Sequence, residues 1–300
     1  PSGTVGEEGL SELDLSGRWL VPAFIDSHVH LAYLPEAKAM LDGGIAGAVD
    51  LAAPVSALAA DPGALRLLNA GPMVTAVGGY PTQSWGRNGY GLEVADALEA
   101  TAAVTTLAEA GARVIKSPVD GSGGLDDAQL AAIAETAHQH NLKLAVHALG
   151  TEDSLRAARA GADVLAHTPT VGLTAATTEA WAPRAVITTL AAFGGGATTV
   201  ANLAALHAQG ATVLYGTDFG NTRSPGISGD ELRLMGDAGM SSDAIIASGT
   251  STPASFWGMD ELGSISVGKA ASWLVLQTDP RQDIGTLTQP EAVWIDGQPR

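Results

Sequence analysis

Phe24-Ile25-Asp26-Ser27-His28-Val29-His30 ends an apolar run that begins with Trp19-Leu20-Val21-Pro22-Ala23. In an extended strand alternate side chains share a face, so His28 and His30 project together and could hold one metal ion between them. Taken alone, the pair reads equally well as two polar residues at a strand end. The rest of the chain decides between these readings.

From Pro22 to Gly216 a short apolar run, a polar or glycine-containing link and a helical stretch recur, the alternation of a parallel β/α fold. Strands are expected at Ala23 to His28, Gly47 to Leu51, Met73 to Val77, Arg113 to Ser117, Lys143 to His147, Val164 to His167, Ala185 to Thr189 and Thr212 to Gly216. Helices are expected from Leu92 to Ala110, Asp126 to His140, Thr151 to Ala160 and Ala197 to Gln209. Each is followed by Gly or Asn, which tolerate the left-handed conformation of a helix end. Eight such strands read most economically as α/β of the (β/α)8 TIM-type barrel class, although a doubly wound open sheet gives a similar local pattern.

Past the eighth strand come helical segments at Asp230 to Asp237 and Ser241 to Gly249, and then the texture changes. Gly263 to Leu276 and Ala292 to Gly297 read as short strands with turns. With Glu12-Leu13-Asp14-Leu15 they are expected to form a small, incomplete β-sandwich domain from both chain ends, residues 1–20 plus 260–300, beside a barrel of residues 21–259.

The chain has 32 acidic and 15 basic residues, a net charge of −17, which disfavours nucleic acid or an anionic membrane as partner. It has no cysteine, so any metal must be held by imidazole and oxygen. No apolar run reaches the roughly 18 residues of a membrane span, and Pro1-Ser2-Gly3-Thr4 lacks a leader pattern, so a cytoplasmic protein is expected. The start without Met fits processing or an engineered start.

Ligand-competent residues gather at the C-terminal ends of the expected strands: His28 and His30 on the first, Lys116 on the fourth, His147 on the fifth, His167 on the sixth and Asp218 just past the eighth. That is the barrel face where catalytic residues collect. His138, His140 and His207 fall on or at the ends of helices and read as surface residues.

At this point the chain resembles the amidohydrolase superfamily. The resemblance is carried by Gly17 to Leu31, by Lys116, His147 and His167, by Tyr215-Gly216-Thr217-Asp218 and by Leu262 to Lys269. Ile115-Lys116 after Gly111-Ala112, with Gly71-Pro72 and Gly78-Gly79-Tyr80-Pro81, looks most like the prolidase-like branch. The resemblance implies two divalent metal ions, zinc in the first instance. His28 and His30 would bind the more buried ion with Asp218, His147 and His167 the other, and a carboxylated Lys116 would bridge both. An ammonium has no lone pair for a cation, whereas a lysine carbamate presents carboxylate-like oxygens. Burial helps lysine lose its proton, the precondition for reaction with carbon dioxide. The implied reaction is hydrolysis of an amide in a small N-acyl or dipeptide-like substrate, some bearing a carboxylate. A metal-bridging hydroxide would attack, and Asp218 would act as proton shuttle and catalytic residue.

Substrate contacts are expected from loops on the same face. Tyr80 and Trp85 could pack on an apolar side chain, while Arg87 and Arg223 could bind a carboxylate; a surface loop covering the barrel is the alternative. Gly194-Gly195-Gly196 reads as flexible linkage. The sequence departs from the family pattern in three places. Ala23 stands for the usual Gly, Ala271-Ser272-Trp273 replaces an Ala-Asp-Leu pattern, and a short N-terminal arm leaves strand edges that could recruit a second subunit into a homo-oligomer. Two other functions compete. A mononuclear deaminase would need a glutamate near His147, where Ala148-Leu149-Gly150-Thr151 stands, and would leave Lys116 without a role. A non-catalytic barrel serving as an interaction module would have no reason to retain every ligand.

Overall fold

The computed structural model describes residues 14–120 and 124–300. Glu12 and Leu13 of the expected N-terminal strand lie outside the described residues, and Asp14 and Leu15 lead into a turn. In chain order the elements begin with β1 (Trp19–Pro22), β2 (Phe24–Val29), α1 (Ala37–Asp42), β3 (Ile45–Asp50), β4 (Arg66–Asn69), β5 (Met73–Ala76), β6 (Gly91–Val94) and α2 (Ala97–Glu109). Next come β7 (Ile115–Pro118), α3 (Asp127–Gln139), β8 (Leu144–His147), α4 (Thr151–Ala160), β9 (Val164–Leu165), α5 (Ala175–Trp181), β10 (Ala185–Ile187), α6 (Ala197–Ala208) and β11 (Thr212–Leu214). The chain closes with α7 (Gly229–Asp237), α8 (Ser242–Gly249), α9 (Ser251–Trp257), β12 (Trp273–Leu276), β13 (Ala292–Ile295) and β14 (Gln298–Pro299).

Ala23 is where the chain changes partners. Up to Pro22 it pairs antiparallel with β12, Trp19 opposite Leu276 and Pro22 opposite Trp273. From Phe24 it pairs in parallel with β3, and the Phe24 N–H donates to Gly44. One apolar run in the sequence therefore serves two sheets. The parallel strands form the groups β2-β3-β4, β5-β6 and β11-β10-β9-β8-β7. These groups meet at defined hydrogen bonds. The Arg113 N–H donates to the Asn69 carbonyl at 2.9 Å, the Ser27 N–H to Tyr215 at 2.9 Å and the His30 N–H to Phe219 at 2.6 Å. The last two set the first strand of the series against the segment that follows the last.

The eight expected strands correspond to β2, β3, β5 and β7 to β11, and two more are present. β4 and β5 are consecutive pieces divided at Ala70-Gly71-Pro72, where Gly71 has φ +69° and Pro72 has no N–H to pair. Four residues, two of them Arg66 and Asn69, carry too little alternation to signal β4. Leu92 to Val94, expected as helix, pair with β5 instead. The helix starts later because the Asp96 carboxylate accepts the Leu98 and Glu99 N–H groups as an N-cap. α3 opens with a reciprocal capping box between Asp126 and Gln129.

Side chains such as Ile25, Val49, Val74, Ile115, Val146 and Ile187 are fully buried in one apolar core. The antiparallel sheet is ordered β1-β12-β13-β14. Arg66 joins it to β4 by donating two hydrogen bonds to Asp296, at 2.9 and 3.0 Å. Of the stretch Gly263 to Leu276, expected as short strands with turns, only the end is strand. The chain before that end runs in turns, with Gly263 and Gly268 at φ +77° and +86°, and strand structure begins only at Trp273. Among the described residues no helix is long and apolar enough to cross a membrane.

Candidate metal centre

Strand periodicity brings the two histidines of β2 together as anticipated. His28 lies in the strand and His30 just past its end, both buried, with their Nε2 atoms 3.3 Å apart. The Asp218 Oδ1 lies 3.1 Å from His30 Nε2 and 3.5 Å from His28 Nε2. Asp218 gets there through an unusual backbone, at φ +55° in the left-handed region. Two neighbouring glycines make the approach possible. A Cβ on Gly216 would fall 2.3 Å from Ile187 Cγ2 and 3.2 Å from the His28 nitrogen, and one on Gly220 would fall 2.7 Å from His30 Cβ.

The other sequence-selected ligands converge on the same place. The His167 ring lies 4.5 Å from that of His28 and 4.9 Å from that of His147. Lys116 of β7 is fully buried, and its Nζ has no hydrogen-bond partner. His30 Nδ1 is also buried without one. Among the described residues, one group of three histidine or acidic donors lies mutually within 4.8 Å, namely His28, His30 and Asp218. Among the same residues, His147 and His167 have no third donor of that kind.

Electrostatics put these groups into ligand form. Burial, reinforced by Lys116, holds the His28 imidazole well below its ordinary pKa, and burial pushes His147 down to about 3 and His167 well below the usual range. All three are therefore neutral with a lone pair to offer. Burial also lowers the Lys116 amine to about 7. For Asp218, burial opposes the charge, while hydrogen bonds from the His30 imidazole and the Asn221 amide favour it and keep the carboxyl ionised. Neutral imidazoles, one ionised carboxylate and an unpartnered buried amine suit a divalent cation.

The ligands are braced from behind. His28 Nδ1 donates to the Ala166 carbonyl at 2.7 Å, which leaves Nε2 facing the centre. His167 Nδ1 lies 2.9 Å from the Thr189 hydroxyl, and Thr189 itself has φ +42°. The Asn221 amide donates to Asp218 Oδ1 at 3.0 Å. Asp26 accepts from the His28 N–H and from the Thr217 N–H and hydroxyl. Sequence reading passed over these bracing residues. Asp26 and Thr217 stand inside the quoted motifs, but their role depends on a contact between residues 191 positions apart.

Tyr80 and Trp85 reach the centre. The Tyr80 ring stacks on His147 at 5.0 Å, Trp85 meets His30 edge-on at 5.2 Å, and the Trp85 indole N–H donates to the Tyr80 hydroxyl at 2.9 Å. Tyr33 and Tyr90 extend this aromatic wall, and Phe193 meets the His167 ring edge-on. Arg87 is exposed and donates to the Gln83 carbonyl at 3.1 Å, and Arg223 is exposed in the loop after Asp218.

The fold is shared with solved structures of low sequence identity. A Xaa-Pro dipeptidase crystallised with methionine in its active site superposes with a TM-score of 0.82 at 20% identity, covering 99% of this chain and 91% of that one. A prolidase complexed with N-methylphosphonate-L-proline gives 0.79 at 21% identity, covering 99% and 90%. The A. niger ochratoxinase gives 0.75 at 18% identity, covering 93% and 82%. No curated protein sequence matches. The sequence model of the amidohydrolase family matches residues 19–300, and by that match the chain belongs to the amidohydrolase family.

Proposed function

We propose that the protein is a metal-dependent hydrolase that cleaves an amide bond in a small N-acyl or dipeptide-like substrate. The fold under this reading is an eight-stranded β/α barrel, with β4 and β5 sharing the third position, and a small β-domain built on β1 and β12 to β14. His28, His30 and Asp218 hold one divalent ion, and His147 and His167 a second. Carboxylated Lys116 supplies the oxygen donors that the second pair lacks.

The observation that carries the reading is the Lys116 amine, fully buried and unpartnered, and close enough to His28, His147 and His167 to act on their protonation. A buried amine without a partner is costly, and addition of carbon dioxide with loss of a proton turns it into a carbamate anion that a cation can satisfy. Ions bound here supply Lewis acidity toward the substrate carbonyl and toward water. Asp218 Oδ1 faces the two imidazoles and Asn221, which leaves Oδ2 to take a proton from the attacking water and return it to the departing nitrogen. Tyr80 and Trp85 present a flat apolar wall to the substrate side chain. A substrate carboxylate would meet Arg87 or Arg223. The names of the superposed structures, a dipeptidase and a prolidase, fit this substrate class.

The test is metal analysis of protein produced with zinc or manganese and bicarbonate. Two ions per chain are expected, with a carbamate carbon signal from labelled bicarbonate, and Lys116→Ala should lose the second ion. One ion with full amidase activity would refute the two-ion reading.

A further inference from the structure

We infer that Glu231, on α7 and outside the ligand set, is a positioning residue for His167: its carboxylate pins Thr188 to Phe193, the segment that presents a hydroxyl and a ring to that imidazole. The inference rests on His167 as a metal ligand only for its functional consequence. The positioning itself is a property of the metal-free chain.

Glu231 is completely buried. Its Oε1 accepts the Leu190 N–H and its Oε2 the Ala191 N–H, each at 2.8 Å, and the nearby Thr188 hydroxyl also favours the ionised carboxylate. These N–H groups open the short 3₁₀ turn Ala191–Phe193, whose N-cap residue, Leu190, has no side chain able to cap it. The cap comes from another element 40 residues away. α7 is itself fixed to the strand series, because the Ser228 N–H donates to the Tyr215 hydroxyl at 2.7 Å and the Ser228 side chain caps the helix at Glu231.

The pinned segment then acts on His167 twice. Thr189 holds its Oγ1 2.9 Å from His167 Nδ1, and Phe193 sets its ring edge-on to the imidazole at 4.9 Å. Thr189 needs the external hold, because φ +42° is unfavourable for a β-branched residue. Without Glu231, relaxation of this backbone would carry the hydroxyl away. Nδ1 would then lose its partner, and with it would go the fixed direction of Nε2.

Side-chain NMR of labelled histidine in the metal-free protein, followed by zinc titration against a chelator, tests the inference on wild type, Glu231→Gln, Thr189→Ala and Thr189→Ser. Asp230→Asn, on the exposed face of the same helix, is the control. Glu231→Gln and Thr189→Ala should each shift the His167 ring resonances and weaken the ion that depends on His147 and His167 by about tenfold or more, leaving the His28 ion within twofold. The double variant should be no weaker than the worse single one, and Thr189→Ser should restore the wild-type signal. If Glu231→Gln does not fold, Glu231→Asp, which retracts the carboxylate by one methylene, is read in the same way. A lowered melting temperature with His167 resonances and both affinities unchanged would reduce Glu231 to a structural residue. A wild-type protein that takes one ion without moving His167 would refute the ligand reading, and the metal-free spectra would still decide the positioning.

Discussion

The Asp26 carboxylate holds Thr217 by two bonds, its Oδ2 accepting the hydroxyl at 2.5 Å and its Oδ1 the backbone N–H at 3.0 Å. Oδ1 also accepts the His28 N–H at 3.1 Å, so one buried group sets the spacing between His28 and the residue before Asp218. Asp26→Asn and Thr217→Val should each weaken the ion at His28, His30 and Asp218 by roughly 10- to 100-fold. In a double-mutant cycle the two losses should be strongly non-additive, because both variants break the same bridge. Additive losses would mean that the residues act separately.

Gly216 makes a second demand on the same loop. A methyl group there would overlap Ile187 and crowd the His28 backbone, so Gly216→Ala must push the Asp218 loop away from β2. A loss of about 1–3 kcal/mol in stability is expected from the overpacking. Activity should fall further than stability, because Asp218 loses its distance to both imidazoles. Chemical denaturation and kcat/KM measured on the same preparation check this, and a variant that loses stability while keeping full activity would contradict it.

Lys116 makes the opposite trade. Its unpartnered amine lies in a fully buried position, so Lys116→Met, of similar length and apolar, should stabilise the metal-free protein by about 1–3 kcal/mol while abolishing binding of the second ion. Differential scanning calorimetry of the metal-free forms gives the sign. A lower melting temperature for the variant would show that the amine has a partner in the folded protein.

The wall and the arginines separate by kinetics. Tyr80→Ala and Trp85→Ala should raise KM about tenfold for amides with an apolar side chain, whether or not the substrate carries a carboxylate, since stacking and packing ignore that charge. Arg87→Ala and Arg223→Ala should affect carboxylate-bearing substrates alone, and Arg87 must first release the Gln83 carbonyl. Equal effects of the arginine variants on both substrate types would remove them from substrate binding.

What the sequence revealed and what it withheld follow from the range of the forces involved. The strand-end positions of His28, His30, Lys116, His147, His167 and Asp218 were legible because strand alternation is a local property; the four histidines and Asp218 lie side by side in the structure, and Lys116 is buried on β7. The bracing by Asp26, Thr189 and Glu231 was not. Each acts through a backbone group or hydroxyl brought near only by folding, and an isolated Asp, Thr or Glu carries no local signature of that. β4 escaped for a related reason. Its place is fixed by pairing with β3, Gly47 opposite Arg66, while its four residues lack a periodic pattern of their own. Arg87 and Arg223 show the converse, being chemically apt residues whose exposed placement nothing in the local sequence dictates.

Glu231 gives the metal-free protein a pH dependence of definite sign. Burial raises its carboxyl from 4.5 to about 7, against the pull of the Ala191 N–H, the Thr188 hydroxyl and the Leu190 N–H and with some help from Asp230. Between these values the folded chain keeps a proton that the unfolded chain has released, so ionisation favours unfolding, and stability declines as pH rises from about 4.5 to about 7 and then levels. A shift of this size corresponds to a decline on the order of 3 kcal/mol. Glu231→Gln has no proton to release, so the difference in unfolding free energy between wild type and variant should move in favour of the variant across that interval and hold steady above it. Parallel urea-denaturation profiles from pH 5 to 8 would show that these groups keep the carboxylate ionised in the folded state.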